Sequence, residues 1–85
     1  MPLITVTPDA QEEFARLDNS LKLIFAKHLK KFAQLPPKRF LRGTPYAVEN
    51  VGSGRIVCKC EEGTVIVQHI FPAHKEYERW YRGLF

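Results

Sequence analysis

The sequence lacks acidic residues over its central part. Between Asn19 and Val48 there is no Asp or Glu, and all nine acids of the chain lie before or after this segment. The whole chain has a net charge of only +4, so its positive charge is concentrated here. Such a segment can present one positive surface to a polyanion, and a nucleic acid is the first partner to consider. Its seven basic residues are Lys22, Lys27, Lys30, Lys31, Lys38, Arg39 and Arg42.

Long hydrophobic runs and cysteines are also scarce. No window approaches the roughly 18 to 20 apolar residues of a membrane helix, and the first residues have no basic region followed by a long apolar core. The only cysteines, Cys58 and Cys60, lie two positions apart on a predicted strand, where a disulfide between them would be strained. A C-x-C pair alone is a weak zinc signal. The sequence therefore predicts a cytoplasmic protein with reduced thiols, no membrane contact, no metal and no small-molecule cofactor.

The 85 residues allow a single domain, residues 1–85, whose first half predicts one strand and two helices. Leu3–Thr7 is short and rich in β-branched residues, and Pro8 after Thr7 is typical of a helix start. The second helix ends before Pro36, and Lys38–Pro45 is predicted to be an extended basic connection. Helical spacing predicts that one face of the second helix is buried, comprising Leu21, Ile24, Phe25, His28, Leu29 and Phe32.

From Tyr46 onward the hydrophobic period changes to two, which predicts an antiparallel meander of Tyr46–Val51, Arg55–Cys60 and Thr64–Phe71. On the middle strand Arg55, Val57 and Lys59 share one face, and Ile56, Cys58 and Cys60 share the other. The same alternation predicts that His69 lies on one face with Val65, Val67 and Phe71. His74–Tyr81 is predicted to be a short C-terminal helix or tail. The predicted fold class is α+β, with two antiparallel helices packed on a small, mostly antiparallel sheet.

Four short segments, in this order, resemble the RelE/ParE superfamily of bacterial toxins. They are Val6–Ala10, Leu41–Gly43, Gly54–Val57 and Ala73–Tyr77. The resemblance covers nearly the whole chain and implies a RelE-like β-α-α-β-β-β toxin domain. It implies the toxin of a type II toxin-antitoxin pair, held inactive by a cognate antitoxin. The implied activity is that of an mRNA interferase, which cleaves mRNA in the ribosomal A site and inhibits translation. The alternative is a ParE-like gyrase inhibitor or a binding module that has lost its nuclease site.

Metal-free cleavage of RNA by the ribose 2′-OH requires a base, a cation for the phosphate and an acid for the leaving oxygen. Arg55 is the candidate cation, because its guanidinium can donate two parallel hydrogen bonds to a phosphate. His74 and Glu49 are both candidates for the base, and Tyr77 and Tyr81 for base stacking or for assisting the leaving group.

The resemblance matches Arg55 to the family's strand arginine, His74 and Lys75 to its basic pair, and Tyr81 to its terminal tyrosine. The predicted RNA-binding residues are Lys30, Lys31, Lys38, Arg39, Arg42, Lys59 and Lys75.

The chain departs from the family pattern on the second meander strand. Many RelE-type toxins carry two lysines there, and the corresponding positions are read as Ala47 and Glu49. A glutamate in this strand is similar to the YoeB-like branch, in which a carboxylate serves as base.

The basic segment and Arg55 also have purely structural interpretations. The basic run is also consistent with an ordinary solvated helix face, and Arg55 with an ion pair to Glu49 or Glu76.

Overall fold

The structure is a computed structural model, and it describes residues 3–84. The element order confirms the predicted α+β fold, and the C-terminal segment is a helix. The elements are β1 (Leu3–Val6), α1 (Pro8–Ala15), α2 (Asn19–Lys31), β2 (Tyr46–Val51), β3 (Gly54–Glu61), β4 (Thr64–Phe71) and α3 (His74–Arg82).

The four strands form one mixed sheet in the order β1-β4-β3-β2. The strands of the meander pair antiparallel, as predicted, and β1 joins β4 in parallel. A parallel pair requires a crossover connection between the two strands, and α1 and α2 begin that connection. The N-terminal strand therefore closes one side of the sheet, while β2 lies at the opposite side.

Both helices of the first half begin at side-chain caps. The Thr7 hydroxyl accepts a hydrogen bond from the Ala10 amide, and the Asp18 carboxylate accepts one from the Leu21 amide. These caps satisfy amides that have no partner inside the helix. Beyond the end of β1, the Glu13 carboxylate of α1 accepts a hydrogen bond from the Ile70 amide of β4. Glu13 thus satisfies a backbone amide at the edge of β4, beyond the point where the short β1 ends.

The main core lies between the sheet and α1 with α2, on what we call the core face of the sheet. Phe25 and Phe32 of α2 are fully buried there against Ile56 and Cys58 of β3. The buried stripe of α2 is narrower than its sequence predicts, since Ile24 is 47% exposed. The small sheet covers only part of the circumference of α2, so Ile24 remains on the solvent side of the helix.

The opposite side, which we call the cleft face, carries a second apolar cluster. Val48, Val57 and Phe71 are buried there beneath Tyr77 and Trp80 of α3. The Trp80 ring lies 5.1 Å from the Tyr46 ring and 6.0 Å from the Phe71 ring, measured between centroids. α3 has no fully buried residue of its own. Its position therefore depends on this aromatic packing.

A bulge in β4 changes which residues share a face. The pairing with β3 passes from Val57↔His69 to Cys58↔Val67, so Gln68 is an extra residue in β4. His69 consequently lies on the cleft face, 5.3 Å from the Phe71 ring, whereas Val65 and Val67 belong to the main core. The prediction that His69 shares a face with Val65 and Val67 is therefore wrong.

The basic connection after α2 is extended, as predicted, and it lies along the outer edge of β2. The Leu41 amide donates to the Tyr46 carbonyl, and the Val48 amide donates to the Arg39 carbonyl. This pairing aligns Arg39 with Val48, so the Arg39 and Leu41 side chains are directed to the cleft face. Within residues 3–84, no helix has the length and apolar character needed to cross a membrane.

Gly54 is required where β3 passes closest to both the helix layer and β4. A Cβ atom at this position would lie 2.7 Å from the Phe71 carbonyl oxygen and 2.8 Å from the Phe25 ring. Its own carbonyl accepts a hydrogen bond from the Arg55 guanidinium at 2.7 Å. Gly54 therefore fixes both the packing of α2 and the start of the segment that carries Arg55.

We expect Gly54→Ala to lower the free energy of unfolding by about 2 kcal/mol, because the added methyl group overlaps backbone and a buried ring. Gly52→Asn is the matched control, since a side chain at Gly52 meets nothing within 4 Å and asparagine tolerates its φ of +60°. Urea denaturation followed by circular dichroism measures both. Equal midpoints for the two variants would contradict the assigned packing.

Candidate functional site

A cleft of about 410 Å³ lies on the cleft face, between the basic connection, the sheet and α3. β2 and β3 form its floor, the basic connection forms one wall, and α3 forms the other. It brings together six of the predicted site residues, Arg39, Arg42, Arg55, His74, Tyr77 and Tyr81. The other lining residues are Phe40, Leu41, Val48, Asn50 and Glu78.

Arg55 is at the centre of the cleft. One guanidinium nitrogen donates to the Gly54 carbonyl, and the other lies 3.3 Å from Nδ1 of His74. The guanidinium carbon lies 5.7 Å from the centroid of the Tyr77 ring. These contacts hold the cation by a backbone carbonyl, a ring nitrogen and a π face. Because none of them is an anion, its positive charge is not neutralised locally.

The cleft has a strong positive excess. Within residues 3–84, neither Arg55 nor the two arginines of the basic connection, Arg39 and Arg42, form an ion pair. The ion pair between Arg55 and Glu49 or Glu76 that the sequence leaves open is therefore not formed. The residues that line the cleft include three arginines and one acid, Glu78. The Glu78 carboxylate lies close to His74 and Arg82. The cleft consequently favours an anionic ligand.

His74 has a defined role for each ring nitrogen. Arginine can only donate, so Nδ1 of a neutral His74 is the acceptor of the Arg55 contact. The proton of the neutral ring is then on Nε2, which lies 3.9 Å from the Glu78 carboxylate. The side chain is exposed at the start of α3, and it is available to a molecule in the cleft.

Tyr77 is the half-buried member of the tyrosine pair. Burial raises the pKa of Tyr77, the neighbouring Tyr81 raises it further, and the charges of Arg55 and Arg39 partly offset the rise. The phenol is therefore protonated at neutral pH and able to donate. The Tyr81 ring lies 6.0 Å from that of Tyr77 and is 37% exposed, at the mouth of the cleft.

Glu49 does not join this site. It pairs with Ile56 across β2 and β3, and it therefore lies on the core face, whereas Asn50 pairs with Arg55 on the cleft face. Its carboxylate binds Nδ1 of His28 at 2.9 Å and Nζ of Lys31 at 2.8 Å. Burial alone would raise the pKa of Glu49, but the hydrogen bonds and charges of Lys31 and His28 outweigh it and lower the pKa.

The cleft positions of β2 are thus Val48 and Asn50, whereas Ala47 and Glu49 have the parity of the core face. Ala47 is fully buried on the core face, where it pairs with Cys58 of β3. Neither Val48 nor Asn50 can act as an acid or a base. Among the candidate bases, only His74 is in the cleft.

The predicted RNA-binding lysines are spread around the molecule. Lys30 and Lys31 belong to α2 on the far side of the sheet, and Lys31 is paired with Glu49. Lys59 is on the cleft face, but it is four positions along β3 from Arg55, about 13 Å away, and its ammonium lies 3.8 Å from Glu61. Lys38 and Lys75 are exposed and do not line the cleft.

Sequence reasoning missed Asn50, Glu78 and the pair Phe40 and Leu41 as cleft residues. Asn50 could have been found from the alternation of β2, because residues two positions apart share a face of a strand and Val48 is on the cleft face. Glu78 could have been found from helical spacing, since it is four positions from His74. Phe40 and Leu41 gave no comparable signal.

A metal centre is not formed by the part of the chain that the structure describes, which contains no cluster of three or more histidine, cysteine or acidic side chains. Cys58 is buried, and burial raises the pKa of its thiol to about 12. It therefore remains a protonated core residue rather than a thiolate ligand or nucleophile. Cys60 is exposed near the end of β3.

We expect Glu49→Gln to lower the free energy of unfolding at neutral pH by about 1 kcal/mol, because it removes two charged hydrogen bonds between β2 and α2. The pKa of Glu49 is lower in the folded chain than its ordinary value of 4.5. Its stabilisation is therefore present above that pH and is lost as the pH falls through the folded value. Urea denaturation at several pH values measures the difference, which should shrink in acid. A constant difference would contradict the ion-pair assignment.

The sequence matches no protein-family model and no curated protein. Solved structures do resemble the fold. The isolated E. coli RelE toxin gives a TM-score of 0.77 at 17% identity, covering 100% of both chains. The YoeB-YefM complex from Staphylococcus aureus gives 0.65 at 14% identity, over 84% of this chain and 95% of that one.

The chromosomal ParDE toxin-antitoxin system of P. aeruginosa gives a TM-score of 0.68 at 9% identity, over 86% of this chain and 97% of that one. RelE, YoeB and ParDE structures are thus all similar to this fold. The chain has the fold of the RelE/ParE toxin superfamily.

Proposed function

We propose that this protein is the toxin of a type II toxin-antitoxin system and cleaves mRNA on the ribosome. The observation that carries the proposal is the cleft, where an arginine without an anionic partner lies among a histidine, two tyrosines and two further arginines. This combination suits a phosphodiester, because it provides cations for the phosphate and titratable groups for proton transfer. The fold shared with RelE supports the same activity.

Arg55 is the phosphate-binding group. During cleavage the 2′-oxygen forms a bond to phosphorus and the bond from phosphorus to the 5′-oxygen breaks, leaving a cyclic phosphate and a 5′-hydroxyl. Negative charge builds on the phosphate oxygens in this step. The guanidinium is held by the Gly54 carbonyl and the Tyr77 ring, so it is already oriented when the substrate arrives.

His74 is the general base of this proposal. Its Nδ1 lone pair is occupied by Arg55 in the free protein. A phosphate competes for the same guanidinium hydrogens, so substrate binding releases Nδ1 to accept the 2′-OH proton. Nδ1 of His74 is therefore free to accept a proton only when an anion has displaced it from Arg55. This coupling would keep His74 from accepting a proton until a phosphate is bound to Arg55.

Tyr77 is the proposed acid for the 5′-oxygen, and Tyr81 is the stacking residue. Tyr77 is protonated at neutral pH, and two arginines lie close enough to affect its titration. Both cations stabilise the phenolate that remains after proton transfer. Tyr81 is at the mouth of the cleft, where an exposed aromatic ring can stack on a base.

The arginines of the basic connection extend the binding surface beyond the reacting phosphate. Arg39 and Arg42 line the same cleft as Arg55, and they can hold phosphates on either side of the cleaved bond. Lys38 and Lys75 are the chain neighbours of the cleft residues Arg39 and His74, and the proposal gives them and the more distant Lys59 a peripheral role in RNA binding. The proposal needs no metal or other cofactor, and it places the protein in the cytoplasm with the ribosome and mRNA.

An antitoxin is the proposed protein partner. The similar RelE and YoeB structures include complexes described as toxin-antitoxin complexes. A positively charged cleft is neutralised most effectively by an acidic segment, because charge complementarity accelerates association and raises specificity. An acidic antitoxin that covers the arginines would therefore prevent RNA from binding.

A second candidate function is ParE-like inhibition of gyrase without RNA cleavage. The observation in its favour is the floor of the cleft, where β2 contributes Val48 and Asn50 and no titratable group. A cleft with one candidate base is a weaker catalyst than one with several. The fold is equally compatible with this function, as the ParE similarity shows for the backbone.

We expect Arg55→Ala to lower ribosome-dependent mRNA cleavage by about 100-fold or more, because it removes charge stabilisation of the transition state. The purified protein is added to ribosomes programmed with a defined mRNA, and new 5′ ends are mapped by primer extension. Arg79→Ala is the matched control, since Arg79 is an exposed arginine of α3 outside the cleft. Cleavage by the control should equal that of the wild type.

An uncut message with the wild-type protein would overturn the nuclease proposal. Supercoiling by gyrase is then measured in the presence of the same protein. Inhibition there would establish the second candidate function.

The two tyrosines should differ in their kinetic effects. Tyr77→Phe keeps the ring that packs on Phe71 and removes only the hydroxyl, so we expect kcat to fall by about 100-fold with KM little changed. Tyr81→Phe should cleave at nearly the wild-type rate, whereas Tyr81→Ala should raise KM by loss of stacking. The reverse pattern would assign the acid to Tyr81. Steady-state cleavage measured at several concentrations of programmed ribosomes gives both parameters.

A further inference from the structure

His69 is a half-buried histidine that the proposed mechanism does not use. It is on the cleft face, but it does not line the cleft. Its ring is stacked on the Phe71 ring, with 5.3 Å between centroids and 17° between planes. The Trp80 ring of α3 lies 5.5 Å away in a tilted orientation. His69 therefore lies where the sheet meets the helix that forms one wall of the cleft.

Glu13 of α1 fixes the His69 ring. One carboxylate oxygen accepts a hydrogen bond from the Ile70 amide at 2.9 Å, and the other lies 3.3 Å from Nδ1 of His69. Because an ionised carboxylate can only accept, the proton of a neutral His69 is on Nδ1. His74 has the opposite tautomer, since its Nδ1 accepts from Arg55. Glu13 thus sets both the tautomer and the orientation of the His69 ring.

The bulge in β4 brings His69 to this position. Thr7, the cap of α1, holds the bulge: its hydroxyl donates to the Gln68 carbonyl at 3.1 Å and its amide to the Val67 carbonyl at 3.0 Å. Without the extra residue, strand alternation would place His69 on the core face with Val67. β-bulges that redirect a side chain are common next to active sites. The start of α1, the bulge and His69 thus form one local structure.

Trp80 connects His69 to the rest of α3. Its ring lies 6.1 Å from that of Tyr77, which is in the cleft. Tyr77 and His74 belong to the same helix, so a shift of Trp80 moves both of them relative to the sheet. Arg55 is on β3 and would keep its position. The geometry of the cleft therefore depends on how Trp80 is oriented.

We propose that Glu13 and His69 are positioning residues, which orient Trp80 and thereby hold α3 in place on the sheet. The expected effect on cleavage rests on the proposed nuclease function, whereas the orientation of Trp80 does not. A phenylalanine would fill the same space as His69, but packing alone leaves a ring free to tilt. A hydrogen bond is directional, so the Glu13 contact selects one orientation of the ring.

The first test is the tautomer of His69. The full 85-residue protein is labelled with ¹⁵N, and the ring nitrogens are assigned by NMR at about pH 8, where an ordinary imidazole is neutral. We expect the proton on Nδ1 of His69 and on Nε2 of His74. Glu13→Gln should move the His69 proton to Nε2, because the amide oxygen stays with the Ile70 amide and the NH₂ group then donates to Nδ1. A proton on Nε2 of His69 in the wild type would overturn the proposal.

The second test uses the fluorescence of Trp80, which is the only tryptophan of the chain. Its emission therefore reports on the contact between α3 and the sheet. Glu13→Gln should shift the emission to longer wavelength, because a tilted indole is more exposed to water. Glu12→Gln is the matched control, since Glu12 is the neighbouring acid of α1 and pairs with Arg16 at the surface. Its emission should equal that of the wild type.

Cleavage kinetics on programmed ribosomes test the consequence for the proposed nuclease. Glu13→Gln and His69→Phe should each lower kcat by about tenfold, because Tyr77 is displaced from the reacting groups. KM should change little, since the arginines of the cleft are not on α3. His69→Phe keeps an aromatic ring, so a role in packing alone predicts wild-type kcat for it. Glu12→Gln should cleave like the wild type.

The outcomes separate this proposal from the nuclease proposal. If the wild type leaves mRNA intact, the nuclease proposal fails, and the His69 tautomer and Trp80 emission still decide whether Glu13 orients α3. An unchanged tautomer and emission in Glu13→Gln would overturn the positioning proposal even where the wild type cleaves. Wild-type kcat in both variants would overturn its role in catalysis. Urea denaturation at the assay temperature shows that each variant is folded.

Discussion

Aromatic packing of α3 on the sheet is the interaction on which the whole site depends. His74, Tyr77 and Tyr81 all belong to this helix, and they line the cleft around Arg55 because Tyr77 and Trp80 pack on Val57 and Phe71. The helix has no fully buried residue, so little else fixes it. The sheet alone would present an arginine on a flat surface. With α3 in place, the same arginine is in a cleft with two kinds of titratable group.

The two faces of β3 explain how so small a chain supports both a core and a site. Gly54, Ile56 and Cys58 are directed into the main core, while Arg55 and Val57 between them are directed to the cleft face. Strand geometry alone imposes this division. Any shift of the register by one position would bury the Arg55 guanidinium and expose Ile56, at a cost far above the stability of a small domain. The position of Arg55 is therefore set by the same contacts that fold the protein.

Much of the fold could be predicted from the sequence, because its signals were local. The turns before β3 and β4 contain glycines, and the predicted bounds of β2 and β4 agree with the structure to the residue. Arg39, Arg42, Arg55, His74, Tyr77 and Tyr81, which line the cleft, are also among the predicted site residues. Glu49, the other candidate base, lies outside the cleft for a physical reason. β2 buries Ala47 and Val51 on one face and Val48 on the other. Its hydrophobic pattern therefore does not show whether the odd-numbered or the even-numbered residues face the helices. The bulge at Gln68 had no sequence signal either, and it reversed the face of His69.

The acid-free segment acquires a different meaning once it is folded. In the sequence it is one basic block, but the chain passes from one side of the sheet to the other within it. α2 takes its lysines to the core side, and the basic connection brings Arg39 and Arg42 to the cleft. Glu49 then engages Lys31 and His28, leaving Lys27 and Lys30 beside exposed aliphatic residues. The arginines are in a concave site suited to phosphates, whereas the lysines are on the exposed side of a helix. One compositional feature thus produces two positive surfaces with different chemistry.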